Sequence, residues 1–366
     1  MIGAATSTAR TCAVPEAHPF ADNGRTPRGQ PQQSGDALRV GTGGTMFPTL
    51  SLARLPTPLQ HLRPTSERLG VDVFIKRDDL TGAGMSSNKV RKLERLLADV
   101  RTTGVTTVLT TGGTQSNHCR ATAIACRQLG LMPRLLLRGT EPPRDTWDGN
   151  LLMCGILGAD IRWTAPDCAT PRGALLDAWA NELRAAGEVP LVIPEGGSNA
   201  LGSAAFADAA QELRTQLDDQ GVCPSAIVVP VGSGGTLAGL AMGGLPAPVL
   251  GIAVCDDQAT FRARVQHIAA GALPPPGPTT WDVIDGFQGQ GYALTTPEEL
   301  KIQVRFARET GIFLDPVYTG KCWVAIESLV AHNPDVLGSS IVFWHTGGIF
   351  GLFGRGHEYA PAIQDR

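Results

Sequence analysis

The chain has 366 residues, of which 42% are hydrophobic and 18% charged, and a formal net charge of −3. That length suits about two domains with well-buried cores, and near-neutral charge without a basic face argues against nucleic acid as the main partner. Only five of the 31 basic residues are lysines (Lys76, Lys89, Lys92, Lys301, Lys321), so chemistry that needs a primary amine has five candidates.

Residues 1–45 are rich in Thr, Ser, Gly, Pro, Gln and Arg and follow neither a strand nor a helix period, so a disordered tail is expected there. They lack the basic start, apolar run and small-residue cleavage site of a secretory signal, and export is not expected. The eight cysteines are scattered without a CxxC pair or metal-type spacing, which fits a reduced, cytoplasmic protein with no metal. From Leu55 onward, short apolar runs (71–75, 107–110, 134–137, 191–193, 226–231, 249–254, 340–344) alternate with helical segments such as 90–98, 120–129, 202–217 and 297–310. Such alternation predicts βαβ units and mostly parallel sheets, an α/β fold. The uncharged run 220–255 is long enough to span a bilayer, but seven glycines and three prolines from Ala226 onward make it strand, turn, helix and strand, and no membrane partner is expected. The Pro-rich stretch 273–278 reads as a surface connection.

Three strand-to-helix junctions carry chemistry. In the first, an apolar strand ends at Lys76-Arg77-Asp78-Asp79, and a Gly and Ser loop leads to Ser86-Ser87-Asn88-Lys89. Ser87 or Asn88 is suited to cap a helix with the stripe Val90, Leu93, Leu96 and Leu97. Lys89 then falls in the first helical turn, where the helix dipole disfavours a cation and favours the free amine that a Schiff-base lysine needs. Taken alone, the stretch reads more readily as a solvated surface lysine. In the second, Gly112-Gly113-Thr114-Gln115-Ser116-Asn117-His118 opens an Ala-rich helix whose first amides suit a substrate carboxylate, or form an ordinary capped loop. In the third, the strand ending at Val231 meets Gly232-Ser233-Gly234-Gly235-Thr236, whose amides suit a phosphate or serve tight helix–sheet packing. Leu237 stands where a dinucleotide motif needs its third glycine, so a nucleotide-binding protein is the weaker reading.

Two tyrosines of only three in the chain follow, in Gly289-Gln290-Gly291-Tyr292 and Asp315-Pro316-Val317-Tyr318-Thr319. Last comes Trp344-His345-Thr346-Gly347-Gly348 at a strand end, where His345 by itself reads as a satisfied core histidine.

In this order, the stretches resemble the pyridoxal-phosphate enzymes of the tryptophan-synthase-β type (fold type II). More narrowly they resemble the branch of D-cysteine desulfhydrase and 1-aminocyclopropane-1-carboxylate deaminase, over residues 55–353. The resemblance implies two domains, each an open, mostly parallel sheet flanked by helices: a large cofactor-binding domain (46–92 and 206–366) and a small one (93–205). It implies pyridoxal 5'-phosphate held covalently by Lys89, with Asn88 beside the ring and Gly232, Ser233, Gly234, Gly235 and Thr236 around the phosphate. Ser116, Asn117 and His118 would meet a small amino-acid substrate, with Ser116, Tyr292 and Tyr318 catalytic, and a homodimer is expected.

Within that branch, cyclopropane deaminases resemble one another in carrying Tyr-Glu-Gly-Lys and His-Leu-Gly-Gly, whereas this chain has Tyr318-Thr319-Gly320-Lys321 and His345-Thr346-Gly347-Gly348. Thr319 and Thr346 therefore place it on the desulfhydrase side. A hydroxyl near the pyridine nitrogen makes a milder electron sink, suited to β-elimination. The departures are Ser86-Ser87 where Gly-Gly is usual and Ala293 where a second glycine is common. They keep cyclopropane opening, and elimination from cysteate or another sulfur-bearing amino acid, open beside D-cysteine.

Overall fold

A computed structural model describes residues 50–271 and 277–364. The expected tail, 1–45, and residues 273–276 of the Pro-rich stretch lie outside the described residues. Ten strands are seen: β1 (Leu59–His61), β2 (Asp72–Arg77), β3 (Thr107–Gly113), β4 (Met132–Arg138), β5 (Asp160–Thr164), β6 (Pro190–Val192), β7 (Ala226–Val231), β8 (Val249–Ala253), β9 (Trp281–Ile284) and β10 (Ser340–His345). They form a six-stranded sheet, β1-β2-β10-β7-β8-β9, and a four-stranded sheet, β5-β4-β3-β6. Every pairing is parallel except β1 with β2. All seven expected runs are strands. The three not singled out, β1, β5 and β9, lie at sheet edges, where one open side tolerates charge and breaks up the apolar run (Asp160 and Arg162 in β5, Asp282 in β9). Among the described residues, no helix is long and apolar enough to cross a membrane.

The larger sheet is buried on both faces, and its alternation shows how. Ile227, Val229 and Val231 of β7, with Val342 and Trp344 of β10, pack against Phe206 and Leu213 of the helix Ala200–Gln220 and Phe261 of the helix Gln258–Ala270. Val228, Ile341 and Phe343 point the other way, onto Phe306, Trp323 and Ile326. Period-two burial with apolar residues on both faces is what helix crossovers between parallel strands require.

The helix Lys89–Leu96 is fixed from beneath by charge. Arg91 is buried and donates through Nε and Nη2 to Asp78 (2.8–3.1 Å) and through Nη1 and Nη2 to Glu212 (2.9 Å each). Lys76 donates to Glu212, to Gln216 Oε1 (2.7 Å) and to the Thr57 carbonyl (2.6 Å), while Trp344 Nε1 donates to Asp78 Oδ2 (3.0 Å). Two cations and two carboxylates thus balance where β2, β10 and the helices Lys89–Leu96 and Ala200–Gln220 meet. Burial by itself would raise the Glu212 carboxyl, but Arg91 and Lys76 outweigh it and hold it at about 2.

Removing one partner of such a network leaves an uncompensated buried charge, so Arg91→Met should lower the unfolding free energy by about 3–5 kcal/mol, read from urea midpoints. Glu212 is depressed below its ordinary 4.5, so its contribution is present above that pH and is lost as pH falls toward about 2. Glu212→Gln should flatten that part of the stability–pH curve, and an unchanged curve would show that the network does not couple to folding.

Candidate active site

The C-terminal ends of β3, β4, β7, β8 and β10 converge on a cavity of about 500 Å³. Its lining includes Asn88, Lys89, Ser116, Asn117, His118, Gly232, Ser233, Gly234, Thr236, Tyr292, Tyr318 and Thr346. The structure therefore brings together nearly every candidate that is scattered over some 260 positions of sequence. Gly235 and Thr319 are not among the lining residues.

Of the five lysines, only Lys89 lines the cavity. Lys76 belongs to the ionic network, Lys92 donates to the Gly196 carbonyl (3.1 Å) and Ser198 Oγ (2.9 Å), and Lys321 donates to the carbonyls of Gln288 (2.5 Å) and Gly291 (2.7 Å). Lys301 is exposed on the helix Pro297–Thr310. Burial pushes the Lys89 amine down to about 8, opposed only by the charge of Asp315. The direction is the one the helix start led us to expect, with desolvation by burial as a cause the sequence reading had not named. Ser87, not Asn88, supplies the side-chain contact at the helix start, its Oγ accepting from Lys89 N (3.3 Å). The Asn88 side chain instead crosses to the glycine turn and donates to Thr236 Oγ1 (2.9 Å).

At that turn, a Cβ on Gly232 would lie 2.7 Å from Tyr318 Cε1, so only glycine lets the tyrosine ring close over the backbone. Tyr318 OH and Tyr292 OH are 3.0 Å apart with their rings edge to face, and burial pushes both phenols above their ordinary value, furthest for Tyr318. Both are therefore proton carriers at neutral pH. Ser116 caps the helix Asn117–Gln128 by accepting from Cys119 N (3.2 Å), which leaves its hydroxyl proton to donate. Thr110 Oγ1 donates to the Ile193 carbonyl (2.8 Å), so His118 Nε2, 2.8 Å away, carries the proton between them, and Nδ1 is a bare acceptor with no partner among the described residues. Burial, with the charges of Lys89 and Lys92, pushes His118 far below its usual range and keeps it neutral.

Three residues of the site escaped the sequence reading. Arg120 is fully buried among neutral acceptors: it donates to Asn117 Oδ1 (2.9 Å), to Asn150, and to the carbonyls of Gly84 (3.0 Å) and Met85 (2.7 Å), with Phe350 against its guanidinium. It fastens the loop before Lys89 to the start of the helix Asn117–Gln128. No local sequence signal marks it, since Arg127 lies in the same helix. Asp315 accepts from the backbone N–H of Val317, Tyr318 and Thr319 and from Thr319 Oγ1 (2.7–3.0 Å), and the Asp-Pro start of its turn was the available clue. The third, Arg138, ends β4 above the Tyr292 ring. His345 is the satisfied core histidine that was expected, donating from Nε2 to the Phe313 carbonyl (2.9 Å) and accepting from Gly347 N (3.1 Å).

The loop departures also have a geometry. Ser86 (φ +26°) and Ala293 (φ +58°) are the non-glycine residues with positive φ among the described residues, and they occupy two of the positions where glycine would be usual. Ser86 is held there by its Oγ bond to the Asp79 carbonyl (2.9 Å). Gly347 (φ +84°) lies against it, where a Cβ would stand 2.4 Å from the Ser86 carbonyl oxygen.

An amine at a cavity wall with no hydrogen-bond partner among the described residues and a glycine turn at a helix start for a phosphate are what pyridoxal phosphate requires, and the residues present fit it. The sequence matches the family model described as pyridoxal-phosphate dependent enzyme over residues 50–347. The chain belongs to that family. It is 39% identical over 329 residues to the mitochondrial bifunctional D-cysteine desulfhydrase/1-aminocyclopropane-1-carboxylate deaminase of Arabidopsis thaliana, covering 86% of this chain and 82% of that one. It is 37% identical over 319 residues to the D-cysteine desulfhydrase of Klebsiella pneumoniae subsp. pneumoniae, covering 84% and 96%. A crystal structure of an ACC deaminase homologue superposes with a TM-score of 0.76 at 36% identity, covering 87% of this chain and 97% of the other. The fold is that of this family of pyridoxal-phosphate enzymes.

Because the depressed Lys89 amine is neutral above its own value, its reactivity toward an acylating reagent in cofactor-free protein should rise with pH through about 8. Peptide mass spectrometry of trace-labelled protein reads that titration for each lysine. A Lys89 midpoint near the ordinary 10.5 would mean that water reaches the amine freely.

Proposed function

We propose that this enzyme is a pyridoxal-phosphate-dependent lyase that eliminates the β-substituent of a small amino acid, D-cysteine first among candidates, yielding pyruvate, sulfide and ammonia. The observation that carries the reading is the state of position 319. The Thr319 hydroxyl spends its proton on Asp315 Oδ1 (2.7 Å), and all four acceptor positions of Asp315 are taken by its own turn. No carboxylate is therefore free there to hold a pyridinium proton, which the resemblance associates with cyclopropane opening. The two lining carboxylates, Glu195 and Asp256, are paired with Arg172 and Arg264 (3.3 Å for Asp256). The relatives are named for both activities, so cyclopropane deamination stands as the second reading, with carbon–sulfur cleavage of cysteate kept open by the loop departures.

In this proposal the cofactor, when bound, withdraws electrons from Cα and makes its proton acidic. Lys89 holds the cofactor and, as a poised amine, accepts the Cα proton. The amides of Gly232 to Thr236 would hold its phosphate, with Asn88 fixing Thr236 through the bond to its Oγ1. Ser116 donates its hydroxyl proton to the substrate carboxylate, assisted by Asn117 and the amides of the helix start, while neutral His118 adds no competing charge. Tyr292 and Tyr318 form a two-proton relay that protonates the departing group. The large and small domains expected at 46–92 with 206–366 and at 93–205, and the homodimer, belong to the proposal; two separate sheets support the former.

The test offers D-cysteine, L-cysteine, β-chloroalanine and the cyclopropane amino acid side by side and measures keto acid and ammonia. Elimination from D-cysteine and β-chloroalanine is the expected result, and turnover of the cyclopropane alone would overturn the reading. Tyr292→Phe and Tyr318→Phe keep the packing and should each lower kcat by something on the order of 10²-fold with little change in Tm. Unaltered rates in both variants would reduce the pair to packing.

A further inference from the structure

Tyr292 enters the cavity on a segment whose own backbone does little to hold it. Gly286, Gly289, Gly291 and Ala293 all have positive φ, and the three glycines give the chain freedom to leave that conformation. The Gln288 side chain ties the segment only at the surface. It accepts from Gly286 N (2.8 Å) and donates to the Asp256 carbonyl (2.9 Å), where water competes for the same groups. Yet the Tyr292 ring is closely placed. Its hydroxyl is 3.0 Å from that of Tyr318, a Cβ on Gly113 at the end of β3 would stand 3.6 Å from the same oxygen, and Arg138 at the end of β4 lies over its face.

The buried anchor is Lys321. It follows Tyr318 by three residues, in the first turn of the helix Thr319–His332, and is shut off from water. Its Nζ donates to the carbonyls of Gln288 (2.5 Å) and Gly291 (2.7 Å), which flank the pair Gly289-Gln290. Burial pushes the ammonium below its ordinary value, opposed first by the charge of Glu299, whose carboxylate is itself engaged with Thr296 N (2.7 Å). Charge-assisted bonds of this kind are stronger than neutral ones, and an ammonium that lost both carbonyls would be left buried and unpaired. The segment is therefore bound to the helix start. We infer that Lys321 is a positioning residue: by tying the carbonyls of Gln288 and Gly291 to the helix that begins beside Tyr318, it holds the two phenols in register across the cavity. This rests on the reading that Tyr292 takes part in turnover, and it names what keeps that phenol in place. One helix start thus presents Tyr318 directly and Tyr292 through a lysine.

The experiment uses Lys321→Met, which keeps an unbranched apolar stem without the ammonium, and Lys321→Arg, which keeps charge and donors with a different reach. In the holoenzyme, with whichever amino acid of the panel above turns over, Lys321→Met should lower kcat by something on the order of 10²-fold, the effect of misplacing a reacting group by about 1 Å, with KM changed far less. Lys321→Arg should recover part of the loss. Added to Tyr292→Phe, Lys321→Met should lower kcat by no more than about twofold further, because the hydroxyl it positions is already gone. In cofactor-free protein, amide exchange read by mass spectrometry should quicken across residues 286–294 and stay as it was elsewhere. Should Lys321→Met melt below the assay temperature, the same comparisons are made with Lys321→Arg. Full additivity of the two substitutions, exchange that quickens throughout the chain, or an unaltered kcat in Lys321→Met while Tyr292→Phe is slow would each overturn the inference. An unaltered rate in Tyr292→Phe itself would instead overturn the reading of the phenols, and the inference with it.

Discussion

The site depends first on how Arg91 is buried. A guanidinium two residues beyond Lys89 is removed from water at the junction of two strands and two helices, and only the carboxylates of Asp78 and Glu212 make that burial tolerable. Apolar packing alone would let a helix of eight residues slide or rotate, since hydrophobic contact has no direction. The fork of Arg91 has a direction. With Asp78 just past the end of β2 and Glu212 on the long helix Ala200–Gln220, it fixes both the rotation of the helix Lys89–Leu96 and its depth, and so aims Lys89 at the cavity.

Arg120 does the complementary task from the other side. Its partners are carbonyls and amide oxygens rather than carboxylates, and burial consequently lowers it to about 10. It joins the loop before Lys89 to Asn117 and Asn150, so that the proposed attachment site and the proposed carboxylate site share one clamp. Among the residues proposed for the chemistry, His118 is neutral, both phenols are protonated, and the amine of Lys89 is easily deprotonated. The proposed cofactor phosphate and substrate carboxylate therefore meet hydrogen-bond donors.

Much of this was legible in the sequence because the informative groups are local. Ser116 and Asn117 announce a capped helix after a glycine turn, Gly232 to Thr236 a second such turn, and the buried runs of β3, β7 and β10 are near-continuous. What stayed illegible is held by distant partners. Arg120 meets residues some 30 positions away in either direction, and Arg91 meets Glu212 across 121 positions. Nothing local separates these side chains from the many other arginines. Thr319 was readable as a substitution but not as a spent donor, because its bond to Asp315 depends on a turn that backbone geometry decides. The edge strands β1, β5 and β9 lacked the pattern for the opposite reason: with one side open, their sequences are free to vary.

The central claim is that this architecture makes Lys89, and no other lysine, the point of cofactor attachment. Borohydride reduction of the loaded enzyme followed by peptide mass mapping tests it most directly. The account predicts the pyridoxyl adduct on Lys89 and its loss in Lys89→Ala. An adduct on Lys76, Lys92, Lys301 or Lys321 of the unaltered enzyme would contradict it.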